Sequence, residues 1–158
     1  MAFKNTGHKQ VSFSDLEIID SIEKNRTYKM LTELDSVIYW RKTKRILEKH
    51  YKAGQSDEGA SAFHPLILFK ALLLQKWFKI SSDPELESQI NDRISFKKFL
   101  GLSVNELSPD HSTFSRFRKR LSKKAMMFLF LKANEQIYFI KKILQTGTRI
   151  HQILILLI

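Results

Sequence analysis

The sequence predicts an all-α protein, and two observations support this fold class. Apolar residues recur at helical spacing through most of the 158 residues, and no stretch before the last few residues alternates as a strand does. Capping signals and turn residues such as Pro65, Pro84 and Gly101 separate these periodic segments. We therefore expect a multi-helix domain with a helix-turn-helix-like element and a long C-terminal helix.

Residues 1–35 are predicted to form an N-terminal arm with two short helices. The first twelve residues are polar, and a capping-box pattern at Ser14 opens a helix that ends near Lys24. A second short helix is expected from Tyr28 to Leu34.

Residues 36–122 are predicted to form the main helical domain. Its first helix is expected to run through Tyr51, capped by Asp35 or Ser36, with inward positions at Ile38, Ile46 and Leu47. A Gly- and Ser-rich linker at 52–63 precedes a helix that opens with His64-Pro65. That helix, LILFKALLLQKWFKI, is apolar around most of its circumference, which predicts the buried centre of the domain.

Shorter elements follow this central helix. Ser82 is expected to cap a helix through about Asp92, and a further helix from Ser95 to Leu100 ends at Gly101. Beyond the basic helix described next, 123–147 is predicted to be a long helix or linker. Its apolar positions recur at helical spacing: Met127, Phe128, Leu131, Ile137, Ile140 and Leu144. Residues 148–158 form an apolar tail.

A basic helix near residue 115 is the segment most informative about function. Asp110 is a good N-cap, and helix is expected from about His111. Phe114, Phe117 and Leu121 share one face at i, i+3 and i+7, which predicts the buried side. Thr113, Arg116 and Arg120 fall on another face with the same spacing, which predicts the outward side.

Positive charge is concentrated beside this helix. The formal net charge is +11, and the excess lies almost wholly after Pro109, where 111–142 contains a single acid, Glu135. The order short helix, turn, short helix, loop, basic helix agrees with a helix-turn-helix whose last element enters a DNA groove. A solvated basic surface is the alternative interpretation of the same pattern.

The candidate DNA contacts follow from position along the helix. N-terminal residues of a reading helix usually meet base edges, and later cations usually meet phosphates. Ser112, Thr113 and Arg116 are therefore the candidates for base or groove-edge contacts. Lys119, Arg120 and Lys123 are the candidates for phosphate contacts.

Several other classes of site are not expected. The chain has no cysteine, and its five histidines lack ligand spacing, so neither a disulfide framework nor a zinc site is predicted. The N-terminus lacks the apolar segment of a signal peptide, and the apolar run 65–80 is too short and too charged to span a bilayer. We expect no cofactor, no metal, no membrane association and a cytoplasmic location.

Three motifs in order give the chain a specific resemblance. They are the His-Pro-opened Leu-rich helix, the DRISFKKFLGL segment at 92–102 and the PDHSTFSRFR run at 109–118. Together they resemble the InsH-type N-terminal domain of bacterial insertion-sequence transposases. The resemblance implies a helical domain that binds double-stranded DNA at the terminal inverted repeats, in the bacterial cytoplasm and associated with the nucleoid. It leaves open a homodimer or association with full-length transposase.

The same resemblance implies a catalytic domain that this sequence does not match. Related enzymes follow a Thr-Gly-Thr segment with a strand that carries the first metal-binding aspartate, and His151 stands at about that place here. Two-metal cleavage needs several carboxylates at one site, whereas Glu135 is the single acid after Asp110. We therefore expect no catalytic residues and no enzymatic activity, as in a truncated or frameshifted transposase. In that interpretation the helix or linker at 123–147 leads toward the missing catalytic domain, and 148–158 is an out-of-frame tail.

A helical protein–protein interaction module is the alternative function. In that hypothesis the Phe-, Met- and Leu-rich face of 125–144 and the helix with Tyr39 and Trp40 pair with another chain. The basic charge would then be incidental. Salt-dependent binding to duplex DNA separates the two functions.

Overall fold

The computed structural model describes residues 22–51 and 62–145, which fold as a set of packed helices. The helices are α1 (Arg26–Val37), α2 (Trp40–His50), α3 (Pro65–Trp77), α4 (Asp83–Asp92), α5 (Ile94–Leu100), α6 (His111–Arg120) and α7 (Lys123–Gln145). No strand occurs in these two ranges, so the all-α class is confirmed there. None of the helices in them has the length and apolar character that a membrane span requires. The predictions for 1–12, for most of the helix from Ser14, for most of the linker and for 148–158 fall outside the described residues.

Helix α3 is the centre of the core, as its apolar circumference predicts. Every residue from Ile67 to Leu74 is buried, and the helix packs against α2, α5 and α6. His64 caps its N-terminus, where the ring Nδ1 accepts a hydrogen bond from the Leu66 amide at 3.1 Å. Pro65 occupies the first turn, where its missing N–H costs nothing.

One charged side chain lies within this apolar helix. The Lys70 ammonium donates to the Asp35 carboxylate on α1 and, at 2.9 Å, to the Phe99 carbonyl on α5. It also lies 4.5 Å from the centroid of the Trp40 ring and 4.9 Å from that of Phe99. Burial lowers the pKa of Lys70, and the hydrogen bond that Lys70 donates to Asp35 opposes that shift. The amine therefore links α1, α3 and α5 at one point.

The predicted N-terminal boundary of the second helix, at Asp35 or Ser36, is wrong. Both residues lie inside α1, and the chain leaves helical geometry at Ile38 and Tyr39 before α2 begins. A run of β-branched and aromatic side chains has low helix propensity, which favours a break at this place. The Trp40 indole braces the turn by donating to the Asp35 carbonyl at 3.0 Å. Ile38 is buried, as predicted.

Two short helices, α4 and α5, meet at a single residue. Ser82 caps α4 by accepting from the Glu85 amide at 3.3 Å, as the capping-box pattern predicts. Arg93 ends α4 and begins α5. Gly101 follows α5 in the left-handed conformation, with φ 76°, as predicted for a C-terminal glycine.

Helix α7 packs on the domain through residues outside the predicted apolar set. Leu129 and Ala133 are buried, and the Phe130 ring lies 5.5 Å from that of Phe69 on α3. Met127, Phe128 and Leu131 are exposed instead. The helix is therefore apolar on the side that faces the domain and on part of the side that does not.

Candidate nucleic-acid interface

Helix α6 is fixed to the core through one face. Phe114 and Phe117 are fully buried and Leu121 nearly so, which confirms the predicted inward face. The Phe117 ring meets that of Tyr51 edge to face, with centroids 5.0 Å apart. Because these side chains pack one face of α6 against the core, the opposite face is presented to solvent.

Asp110 caps the N-terminus of α6 and remains charged there. Its carboxylate accepts from the Thr113 amide at 2.9 Å and from the Ser112 hydroxyl at 2.6 Å. The Ser112 hydrogen bond, followed by that of the Thr113 amide, lowers the pKa of Asp110. The predicted N-cap is thus confirmed, and it places a negative charge beside two of the candidate base-contacting residues.

Two side chains of α4 orient the start of α6, and the sequence did not reveal either of them. Glu87 accepts from the His111 amide at 2.8 Å and contacts its ring Nδ1 at 2.9 Å. Asn91 accepts from the Ser108 amide at 3.0 Å and donates to its hydroxyl at 3.1 Å. These partners lie 24 and 17 residues apart, so no local pattern in the sequence could have paired them.

The three candidate base-contacting residues form one cluster. Arg116 donates through Nη2 to the Ser112 hydroxyl at 2.8 Å and to the Thr113 hydroxyl at 3.3 Å. Its Nε also donates to the Ser112 carbonyl at 3.3 Å, and Asp110 lies 3.9 Å away. Ser112 and Arg116 are exposed, whereas Thr113 is half-buried. The guanidinium is therefore held over the first turn of α6, close to its N-terminus.

The candidate phosphate-contacting residues share exposure and lack acidic partners. Lys119, Arg120 and Lys123 are exposed, and none forms an ion pair with any described residue. Arg118, on the same helix, is half-buried on the side toward α3 and α4 and is paired with Asp83 and Gln75. The structure thus separates one cation that supports the fold from three that face solvent.

A fourth exposed cation, Lys124, adjoins this surface and was not among the candidates. Ser122 caps α7 by accepting from the Ala125 amide at 3.2 Å, so Lys123 and Lys124 stand in the first turn of that helix. Cations at a helix N-terminus oppose the helix dipole, whereas an anion there is favourable. This junction of α6 and α7 is therefore well suited to a phosphate group.

The acidic side chains near these helices serve caps and ion pairs. Asp35 pairs with Lys70, Asp83 with Arg118, and Glu135 with Lys132 at 2.7 Å. Within residues 22–51 and 62–145, no group of three or more His, Asp or Glu side chains is placed to hold a metal ion.

Comparison with known proteins gives one match. A family model described as Transposase domain (DUF772) matches residues 16–120, which include α1 to α6 and the complete cluster around Arg116. No curated protein and no solved structure matches the chain.

Proposed function

The chain belongs to the transposase-domain family, and on that basis we propose that it binds duplex DNA through the outward face of α6. Terminal inverted repeats of an insertion sequence are the proposed target, and the InsH-type subgroup is the proposed place within the family. Helices α4, α5 and α6 would act as the helix-turn-helix-like unit, with α6 in the major groove. A bacterial, nucleoid-associated location in the cytoplasm accompanies this function.

The observation that carries the proposal is the unneutralised positive charge of this face. Lys119, Arg120 and Lys123 have no acidic partner among the described residues, whereas Lys70, Arg118 and Lys132 each pair with an acid. Exposed cations without partners along one helix face are the expected footprint of a phosphate backbone. A merely solvated surface would gain from interspersed acids, and the outward face of α6 has none beyond its N-cap.

The cluster at the start of α6 suits direct contact with bases. The hydroxyls of Ser112 and Thr113 hold Arg116 in one orientation, which reduces the conformational entropy lost when it binds. An arginine offers two parallel donors to guanine in the major groove. Asp110 beside it would repel a phosphate but can accept a hydrogen bond from cytosine, so this end of the helix fits base edges better than backbone.

We further propose that these residues bind DNA without cleaving it. Glu135 is the one acid after Asp110 in the sequence, and it is paired with Lys132. Metal-assisted phosphoryl transfer needs several carboxylates at one site, and the described part of the chain brings no such set together. No catalytic step is assigned to any residue.

Binding can be tested by fluorescence anisotropy with a labelled duplex at several salt concentrations. Arg120→Ala should weaken binding to all sequences and lower the slope of log K against log salt by about one, because one phosphate contact is lost. Arg118→Ala is the matched control, since it removes the same charge from the same helix but on the inward face. It should leave the slope unchanged while the protein remains folded by circular dichroism.

Base contact by Arg116 requires a preferred sequence, which selection from a randomised duplex library would supply. Arg116→Ala should then cost about 1–3 kcal/mol on the selected duplex and relax the preference at one position. Equal salt slopes for Arg118→Ala and Arg120→Ala would show that net charge, not this face, drives binding. Folded wild-type protein that fails to bind any duplex at low salt would refute the function itself.

A further inference from the structure

Helix α7 carries large apolar side chains on a face that the other described helices do not cover. Leu129 and Ala133 are buried against the rest of the fold. The exposed large apolar residues lie on the opposite side: Met127 at 65%, Phe128 at 45%, Leu131 at 54%, Tyr138 at 71% and Phe139 at 53% of their full accessible surface. Five such residues on one helix face exceed the scattered apolar exposure that is normal for a monomer.

The exposed residues follow the spacing of a helix that pairs with another helix. Phe128, Leu131, Glu135, Tyr138 and Lys142 succeed one another at intervals of three and four, which is the a and d pattern of a heptad repeat. Met127 and Phe139 flank this row. Leu129 and Ala133 fall at b and f positions, so the row and the domain-facing side lie on different sides of α7. The uncovered face therefore has the width and spacing of an interhelical seam.

We propose that this seam is the contact surface of a homodimer in which α7 pairs antiparallel with α7 of a second copy. Glu135 lies in the middle of the seam, and Lys132, its exposed partner at 2.7 Å, lies beside it. Parallel pairing would place the two Glu135 carboxylates against each other, which is unfavourable. Antiparallel pairing centred near Ala133 places each Glu135 beside Lys132 of the other copy, so the middle of the face is complementary to itself in charge.

In the same register, apolar residues of one copy also face apolar groups of the other. It sets Phe128 of each copy opposite Tyr138 of the other, and Leu131 opposite the aliphatic stem of Glu135. Lys124 and Lys142 approach each other at the two ends, where long side chains reach solvent. A two-fold arrangement of this kind uses one surface patch twice, as isologous dimers do.

The available area predicts a weak dimer. Side chains of this size have about 200 Å² of surface each, so the five exposed residues offer about 600 Å² per copy, or about 1,200 Å² in total. That lies at the lower end of specific interfaces, where association depends strongly on concentration. The five apolar residues of the interface do not belong to the α6 face, and Lys124 at the end of the seam is the one residue that also adjoins the phosphate-contacting surface. Association does not depend on DNA binding, so the two proposals can succeed or fail separately.

Sedimentation velocity over a range of protein concentrations, without DNA, tests whether the seam on α7 forms a dimer. Wild type should shift from monomer to dimer as its concentration rises. Leu131→Glu should raise the dissociation constant by about tenfold or more, because the new carboxylate would face Glu135 of the other copy. Leu107→Glu is the matched control, since Leu107 is 73% exposed on the loop between α5 and α6 and is not part of the seam, so it should leave the dimer unchanged. A wild type that stays monomeric, or a Leu131→Glu dimer as tight as wild type, would refute the surface.

Charge exchange tests the antiparallel register. Lys132→Glu and Glu135→Lys should each weaken the dimer, because each sets like charges side by side across the seam. The double variant Lys132→Glu/Glu135→Lys should recover most of the wild-type dissociation constant. All positions are exposed, and circular dichroism would verify that each variant keeps its helix content. Two weakened single variants without recovery in the double variant would refute the antiparallel register.

Discussion

Lys79 and Gly101 stand in the same left-handed backbone conformation at the ends of two helices, with φ 52° and 76°. At each, the following amide bonds back to the last turn, from Ile80 to the Gln75 carbonyl and from Leu102 to that of Lys97, both at 2.9 Å. This conformation strains a residue with a Cβ and costs glycine nothing. The strain at Lys79 is therefore local and relievable.

A matched pair of substitutions measures that strain. Lys79→Gly should raise the free energy of unfolding by up to about 1 kcal/mol, and Gly101→Ala should lower it by about 1 kcal/mol. No atom lies within 4 Å of a Cβ built on Gly101, so the loss there would come from the backbone and not from a clash. Urea denaturation gives both values. A destabilised Lys79→Gly would show that the lysine side chain contributes more than its backbone costs.

His64 gives the fold a pH-dependent cap. Burial lowers the pKa of His64 from its ordinary value of 6.5, opposed by its hydrogen bond with Glu48, and nearby Lys44 lowers it further. The unfolded chain therefore takes up the proton first as the pH falls. The contribution of His64 to stability is complete above pH 6.5 and is lost as the pH falls toward the lowered folded value.

Replacing the ring by a side chain that does not titrate isolates this effect. His64→Asn keeps a good N-cap but should lose less stability than wild type between about pH 7 and pH 5. The stability lost over this pH range should differ between the two proteins by no more than about 1 kcal/mol, which is the usual contribution of an N-cap. Thermal unfolding at a series of pH values measures it. Identical pH dependence in the two proteins would mean that His64 titrates as freely in the folded state as in the unfolded chain.

At the scale of residues, the sequence predicted contacts within a helix and missed those between helices. Asp110, Ser82 and Gly101 act on their own helix ends, and their roles were predictable from local patterns. Lys70 was predicted only as part of an apolar helix. Its partner Asp35 is 35 residues away, and a buried ion pair leaves no periodic signal.

At the scale of elements, α6 depends on its aromatic face. Phe117→Ala should destabilise the domain by about 3–5 kcal/mol, because a fully buried ring that contacts Tyr51 is replaced by a cavity. Leu107→Ala, at an exposed position, should change stability by less than about 0.5 kcal/mol. Chemical denaturation followed by circular dichroism gives both values. A small loss at Phe117 would imply that neighbouring side chains collapse into the space.

The helices whose starts agree best with the sequence prediction are those with clear N-terminal capping signals. Helix α3 has His64-Pro65 before it and α4 has Ser82, so their starts were predicted. The division between α1 and α2 was predicted a few residues too early, because Asp35 and Ser36 are good capping residues and Val37, Ile38 and Tyr39 were predicted to belong to the next helix. Their low helix propensity and the tertiary contact of Trp40 decide the local structure instead.

At the scale of the whole molecule, the fold separates paired charges from unpaired ones. Asp35 on α1, Asp83 on α4 and Glu135 on α7 form ion pairs, whereas the outward face of α6 carries cations that have no acidic partner among the described residues. The sequence predicted this asymmetry, because net charge along the chain needs no tertiary information. It did not predict which arginine of α6 turns inward, since Arg118 is distinguished by Asp83 on another helix.

The carboxylate distribution predicts that the protein lacks nuclease activity. Supercoiled plasmid incubated with purified protein and Mg²⁺ or Mn²⁺ should stay intact, because residues 22–51 and 62–145 hold no set of acids placed to bind a metal at the scissile phosphate. Gel electrophoresis detects a single nick per plasmid. Nicking that co-elutes with the protein through successive columns would overturn the non-catalytic function.

The position of Phe99 on α5 has a spectroscopic consequence. The chain has two tryptophans, and both rings lie beside this one side chain, Trp40 at 6.0 Å and Trp77 at 5.8 Å between centroids. Intrinsic fluorescence therefore reports the junction of α2, α3 and α5 as a single site. Emission from the two indoles will change together when that junction opens, which gives the protein a built-in optical probe of its core that needs no label.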